Sequence, residues 1–231
     1  MEKPSALSAD FFCVCCRTPF RNQSPLDEQG RCALCRSGWS SFDSAYSFGA
    51  FDDELRELVH LFKYGRVEAL ARPLARWMRQ ALPAGERFDY LTPMPLHWTR
   101  AWTRGYNQAA LLASEISRGT GIPVLPAVRR VRRTPAQAGL TRTGRRANVA
   151  GAFAARKTEK IHGKRILLVD DVMTTGATAA ACARALKKGG AAYVALITVA
   201  RADRRDFSVV AEAPDTGRSH FSTYTRSAEN A

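Results

Sequence analysis

Asp170 and Asp171 stand side by side after an apolar run, Ile166-Leu167-Leu168-Val169, and Thr174, Thr175, Gly176 and Thr178 follow within the same nine positions. The run reads as a strand buried on both faces. Ala177 to Lys188, rich in alanine and closed by Gly189-Gly190, reads as a helix. The residues between them form a small, hydroxyl-rich turn at the carboxyl end of a strand, where ligands of open α/β sheets bind. A helix N-terminus offers N–H groups and the positive end of a dipole, which suit a phosphate. Thr174, Thr175 and Thr178 add hydroxyl donors, and Gly176 lets the backbone approach an anion closely. Two carboxylates beside a phosphate would repel it, so they need another partner: vicinal ribose hydroxyls or a bound Mg²⁺. A helix cap alone would need one such residue. The chain lacks Gly-x-x-x-x-Gly-Lys-Ser/Thr and lacks Gly-x-Gly-x-x-Gly after a strand, which excludes the other common nucleotide loops.

A second set of chemically able residues lies near the N-terminus. Cys13-x₂-Cys16 and Cys32-x₂-Cys35, fifteen residues apart, have the spacing of a four-cysteine zinc site. The segment 13–38 is short and polar, and a structural zinc would supply the staple that its missing core cannot. Cys15 could stand in for Cys16 with a tighter bite, and disulfides or free thiols are the competing reading. Cys182, inside the alanine-rich helix, reads as a packed core residue. No role is assigned to His60, His97, His162 or His220.

The elements that must position these groups are legible from periodicity. Leu55, Leu58, Val59 and Phe62 share one helical face, and Leu70, Leu74, Trp77, Met78 and Leu82 continue the pattern after Tyr64-Gly65, with Pro73 in a first turn. Residues 46–82 are thus expected to be helical. From residue 88 strands and helices alternate: a short strand over 88–94, a helix over 106–116, a weak strand over 124–128, the strand 166–169, the helix 177–188 and a buried strand over 193–199. This order predicts a βαβ unit of a parallel sheet.

Charge is concentrated. Residues 129–165 hold twelve Arg or Lys against one acid, Glu159, a net +11 out of +14 for the chain of 231 residues. Such a field suits diphosphates, nucleotides or nucleic acid, or serves as a solvated basic face. The polar stretch from Arg132 to Phe153 is too long for a tight connection and reads as a functional loop.

The segment from Val169 to Thr178 resembles the signature of the type I phosphoribosyltransferases: a buried strand, two acids, then Thr-Thr/Ser-Gly-x-Thr. Further motifs make the chain similar to one branch of that superfamily, the ComF (competence protein F) family. They are the cysteine knuckle, Phe62-Lys63-Tyr64, Pro93 to His97, Arg104-Gly105-Tyr106-Asn107-Gln108, Thr134 to Leu140 with Gln137, and Arg145 to Val149. The resemblance covers about residues 13–201.

The resemblance implies a type I phosphoribosyltransferase fold, a parallel sheet flanked by helices, with a small zinc-knuckle subdomain. The expected divisions are 1–45 for leader and knuckle, 46–202 for the phosphoribosyltransferase domain and 203–231 for a polar tail. Within the domain they are 46–87 for a helical hood, 88–202 for the core and 129–165 for a basic lid loop. It implies phosphoribosyl diphosphate with Mg²⁺ as ligand. Asp170 and Asp171 would face the ribose, and Met173, Thr174, Thr175, Gly176, Ala177 and Thr178 would hold the 5-phosphate. Transfer passes through an oxocarbenium-like state while diphosphate leaves, and guanidinium groups that close over it would stabilise the departing charge. Gln137, Arg142 and Arg146 are the lid candidates, with Arg100 and Arg104 after the first core strand. Single-stranded DNA and DNA-uptake proteins are the partners of the alternative role, in which the phosphoribosyl site is a sensor or vestige. No run approaches the ~18 apolar residues of a membrane helix, and no secretory leader is visible, so the cytoplasm is the expected location.

Overall fold

Strands of a parallel sheet must be apolar on both faces, and the chain devotes its most apolar runs to that purpose. The computed structural model describes residues 6–38, 40–95, 106–132 and 142–202; the side chains of residues 53, 142, 143, 145 and 146 lie outside that description.

The chain begins with a hairpin of β1 (Phe11–Phe12) and β2 (Pro19–Phe20), followed by the single turn α1 (Ala33–Arg36). Then comes β3 (Ser44–Ala50), which pairs in parallel with the C-terminal strand. This corrects the expectation that residues 46–82 are helical, and it places the expected boundary at 45/46 inside a strand. Ser44-Ala45-Tyr46-Ser47-Phe48-Gly49-Ala50 carries neither strict alternation nor a helical period, so only its pairing defines it.

Helices α2 (Asp53–Tyr64) and α3 (Ala71–Gln80) follow, joined by a 3₁₀ turn over Glu68–Leu70, with Pro73 in the first turn of α3. Next are β4 (Tyr90–Pro93) and α4 (Gln108–Thr120), which Gly121 ends in the left-handed conformation at φ 75°. The weak strand expected at 124–128 is a single parallel bridge, Leu91 to Val124.

The basic stretch 129–165 is built differently from the single loop expected. β5 (Val128–Arg130) and β6 (Phe153–Ala155) pair antiparallel, α5 (Arg142–Val149) lies between them, and α6 (Thr158–Ile161) follows. The core closes with β7 (Arg165–Val169), β8 (Val172–Met173), α7 (Ala177–Lys188) and β9 (Tyr193–Arg201). The main sheet has the order β3-β9-β7-β4, all parallel, with β8 beside β9.

Alternation along β7 divides the core in two. Ile166 and Leu168 face α7, in one cluster with Cys182, Ala183 and Leu186. Leu167 and Val169 face α2, α3 and α4, clustered with Phe62, Leu74 and Leu112. The alanines of α7 let that helix lie close to the sheet; Ala183 is fully buried. Asp43, just before β3, accepts the Val194 N–H at 2.8 Å and pairs with Lys187 at 2.6 Å, binding the N-terminal segment to both β9 and α7. No described helix is long and apolar enough to cross a membrane. Residues 203–231 lie outside the described residues.

The close approach of α7 makes a specific demand. Ala183→Leu forces a larger side chain against β7 and is expected to cost about 1–3 kcal/mol. Exposed Lys188→Ala on the same helix should change stability by less than about 0.5 kcal/mol. Chemical denaturation of both variants checks the pair; equal stabilities would contradict this packing.

Candidate functional site

β7 and β8 are one line of chain interrupted by the two acids. Val169 is opposite Ile197 and Val172 is opposite Ala200, so the register on β9 is unbroken across Asp170 and Asp171. The backbone bonds continue through them: the Asp170 N–H donates to Ile197 O at 3.1 Å, and the Val199 N–H donates to Asp171 O at 3.0 Å. On the other side, β4 pairs only as far as Pro93 opposite Val169, where the Met94 N–H reaches Val169 O at 2.9 Å. The acids thus stand where one neighbouring strand ends and the other continues.

Strand alternation sends the two carboxylates to opposite faces. Asp170 is on the α7 side. Its carboxylate accepts the Asp171 N–H at 2.9 Å and lines a concavity together with residues 172–179. Asp171, 8% exposed, is on the α2 side, where Lys63 Nζ meets it at 2.9 Å. Gly176 sits at the N-cap of α7 with φ 77°, and no side chain caps the helix there. Gly176 has no side chain to cap the helix with, and Thr175 Oγ1 accepts the first-turn N–H of Ala177 at 3.4 Å. A left-handed residue at this point is natural for glycine and costly for any other. Met173, Thr174, Thr175, Gly176, Ala177 and Thr178 all line the concavity, so the expected loop residues are brought together.

Lys63 was quoted in the sequence as part of a motif without a role. It sits in the last turn of α2, which Tyr106 holds in place, and two further motif residues link the start of α4 to the strand beside the acids. Tyr106 donates its hydroxyl to Phe62 O, and the two rings lie 5.9 Å apart. Asn107 caps α4 by accepting the Ala110 N–H, and its Nδ2 donates to Met94 O at 3.2 Å. Met94 in turn bonds Val169, next to the acids. Phe62 and Lys63, Met94, and Tyr106 and Asn107, from three of the sequence motifs, are thus linked beside the acidic pair.

Arg100, Arg104 and Gln137 lie outside the described residues. Arg142 and Arg146 belong to α5, and their side chains lie outside the described residues too. Several other basic residues of the stretch are committed to structure. Arg132 donates to Asn148 O at 3.0 Å and Ala150 O at 2.7 Å, closing the C-terminus of α5. Arg130 stacks over Phe153, and Arg165 lies 4.0 Å from the Tyr193 ring centroid and pairs with Glu86.

The N-terminal cysteines form a second constellation. The Sγ atoms of Cys13, Cys16, Cys32 and Cys35 all lie within 4.8 Å of one another and are buried. No cysteine is in a disulfide. Cys16 and Cys32 are 3.7 Å apart, close to the ~3.8 Å edge of a tetrahedron built on Zn–S bonds of about 2.3 Å. The Cys32 N–H points at Cys13 Sγ from 3.3 Å, a donor aimed at sulfur charge. Gly30 turns the chain here at φ 69°, and a Cβ on it would fall 2.8 Å from Val14. Hydrogen bonds with Cys13, Cys32 and Cys35 pull the Cys16 thiol far below its ordinary range, while Cys13, pushed up by Cys16 but pulled down by Cys32 and Cys35, is lowered to about 6. Cys15 is not part of this cluster; its sulfur faces Ser40 Oγ at 3.3 Å and Phe42 O at 3.6 Å. Cys182 is fully buried, and burial pushes its thiol well up. The four-sulfur cluster is compatible with a zinc knuckle.

Arg201, the last residue of β9, was missed by sequence reading. It is 1% exposed, and its guanidinium donates to Cys16 O and Thr18 Oγ1, both at 2.6 Å. Only its place at the end of a nine-residue apolar run marked it, and a terminal arginine ordinarily reaches solvent.

Comparison with known proteins agrees with this arrangement. The phosphoribosyl transferase domain family matches residues 103–216, running past Arg201, where the motif resemblance ends. Competence protein F of Haemophilus influenzae is 35% identical over 179 residues, 74% of this chain and 78% of that protein. DNA utilization protein YhgH of Escherichia coli K12 is 31% identical over 172 residues, 71% of this chain and 74% of that protein. Competence protein ComFC of Bacillus subtilis is 29% identical over 156 residues, 65% of this chain and 61% of that protein. The parallel α/β core, the motifs that converge on Asp170 and Asp171, and these relatives together make the chain a member of the ComF (competence protein F) family within the type I phosphoribosyltransferase superfamily.

Proposed function

We propose that the chain binds phosphoribosyl diphosphate with Mg²⁺ at the loop from Asp170 to Thr178 and acts as a phosphoribosyltransferase. The observation that carries this reading is the helix start at Gly176, a residue in the left-handed conformation with no side chain of its own, which opens on the concavity that Asp170 lines. The first-turn amides of α7 and the hydroxyls of Thr174, Thr175 and Thr178 take the 5-phosphate. Asp170 meets the ribose hydroxyls, and Asp171 completes the acidic pair with Lys63 at its back. Arg142, Arg146 and Gln137 are assigned to close over the diphosphate, and Arg100 and Arg104, which follow the first core strand in the sequence, to bind it. Mg²⁺ suits a site of carboxylate and phosphate oxygens, and when bound it offsets the charge of the diphosphate. The chain's own share of the work is to place the sugar, exclude water and stabilise the departing diphosphate.

Lys63 has a distinct part in this reading. Two adjacent carboxylates facing a polyanion are unfavourable, and one internal ammonium removes about one charge of that repulsion. It also fixes the rotamer of Asp171.

A second reading is favoured by the names of the relatives: proteins of competence and DNA utilization. In it the chain handles single-stranded DNA and works beside DNA-uptake proteins. The field of residues 129–165 suits a DNA backbone. Phe153, the one aromatic residue in that stretch, is 8% exposed and covered by Arg130, so base stacking receives no support there. The four-cysteine cluster is proposed to hold a structural zinc in either role.

Titration calorimetry with phosphoribosyl diphosphate and Mg²⁺ tests the first reading. Asp170→Asn is expected to weaken binding at least about tenfold, or ~1.4 kcal/mol, and Asp170→Asn with Asp171→Asn further still. Lys63→Met should weaken it several-fold. Wild-type affinity in the double asparagine variant would sink the ribose assignment.

Single-stranded DNA titrated at two salt concentrations addresses the second reading. Affinity should fall steeply with salt if phosphates are the contact; an affinity indifferent to salt removes the basic stretch as the binding surface.

Zinc is checked by metal analysis with thiol counting. We expect about one zinc per chain. Cys15 should be the thiol that reacts readily in the native protein, the four cluster thiols should react after chelation, and Cys182 only after unfolding. Less than about half an equivalent of zinc in protein kept from chelators rejects the zinc site.

A further inference from the structure

Arg201 is a buried cation whose partners are chemically unusual. Its guanidinium lies under the cysteine knuckle, held by Cys16 O and Thr18 Oγ1, and Thr18 Oγ1 also lies 2.9 Å from Cys16 Sγ. Among the described residues no carboxylate pairs with it, and its Nε has no hydrogen-bond partner. A guanidinium sealed from water is costly unless opposite charge stands nearby. The groups that can supply that charge are the sulfurs: the Thr18 hydroxyl that Arg201 holds is itself in contact with Cys16 Sγ, and Cys32 Sγ is 3.7 Å beyond it. Four neutral thiols, or two disulfides, would supply nothing. Four thiolates around one divalent ion leave a net charge of about −2, which a buried arginine halves.

The same residue is tied to the phosphate loop. Arg201 is opposite Met173 in the β8–β9 ladder and opposite Ala50 on β3. The Ala202 N–H donates to Met173 O at 2.9 Å, and the Phe51 N–H donates to Arg201 O at 2.7 Å. Met173 is three residues from Gly176, where the helix and the concavity begin. The N–H of Ala202, the residue after Arg201, therefore holds one end of the loop, the backbone of Arg201 holds β3, and its side chain holds the knuckle.

We propose that Arg201 is the internal counter-ion of the four-thiolate metal centre, and that through its pairing with Met173 the filling of that centre sets the order of the phosphate loop. This rests on the zinc reading of the cysteine cluster. It assigns Arg201 as a positioning residue for both sites and makes the knuckle a support of the ligand loop rather than a separate appendage. When the metal leaves, the four sulfurs take up protons from solvent and become neutral thiols, so the buried arginine loses its counter-charge and the end of β9 that carries it must shift or loosen. β8, only two residues long and paired with that end alone among the described strands, moves with it.

Two measurements test the idea. Zinc affinity is read by competition with a chromophoric chelator for wild type, Arg201→Lys and Arg201→Met. The methionine variant should bind zinc at least about tenfold more weakly, with the lysine variant between it and wild type. Hydrogen exchange of the wild-type chain is then followed with and without chelator. Amides of residues 171–176 should lose protection on chelation, while those of α4, far from β9's end in the strand order, should keep it. If wild-type protein holds no zinc, the zinc reading and this proposal fall together. If wild type holds zinc and Arg201→Met holds it equally well, the counter-ion role alone is overturned. Unchanged exchange of 171–176 on chelation overturns the coupling, and it does so even if Arg201→Met fails to fold.

Discussion

Strand β9 is the constraint on which the rest depends. Its nine residues pair with β3 along one edge and with β7 and then β8 along the other. A strand paired on both edges and buried on both faces has no freedom to slip, because a shift of one residue would turn every apolar side chain to the wrong side. Everything that carries chemistry takes its position from it. The acids interrupt the β7–β8 line without breaking register against β9, so their placement is set by ladder bonds rather than by the loop's own stiffness. The cysteine knuckle sits over β9's last residue.

Charge is handled by internal pairing on both sides of the sheet. Asp171 is nearly buried and would be costly alone, and Lys63 answers it. Arg201 is wholly buried, and its guanidinium bonds the Cys16 carbonyl and the Thr18 hydroxyl of the knuckle rather than a carboxylate. In both cases a long basic side chain reaches from one structural unit into another, α2 to the sheet and the sheet to the knuckle. Such pairs contribute less to net stability than their Coulomb attraction suggests, since desolvation offsets most of it. Their effect is to make the correct docking of the two units the only arrangement without an isolated charge.

The core strands and the ligand loop were legible in the sequence because their signals are local. Ile166 to Val169 is apolar throughout, Ala177 to Lys188 has helical composition and a glycine stop, and both elements lie where the pattern put them. β3 was not legible, since Ser44 to Ala50 owes its conformation to Ala195–Arg201, some 150 residues away. The same holds for Lys63 and Arg201. Each was visible as a residue, but what each touches is decided by how α2 and the knuckle dock on the sheet. The basic stretch was read as one loop because charge masks the short apolar pieces, Val128 and Phe153, that build its hairpin.

That hairpin bears on the choice between ligands. The +11 counted along residues 129–165 overstates the field available to a polyanion, because Arg130, Arg132, Lys164 and Arg165 are each engaged with rings, carbonyls or carboxylates of the fold. Of the other eight, Arg142, Arg145 and Arg146 belong to α5, and Arg156, Lys157 and Lys160 follow β6. α5 lies between β5 and β6 in the chain and packs against α7, the helix whose N-terminus opens the phosphate loop. In the proposed reading, a compact diphosphate beside Asp170 needs positive charge only next to the phosphate loop, whereas a strand of DNA needs charges spread over several nucleotides, so the two ligands ask different things of the same sequence stretch.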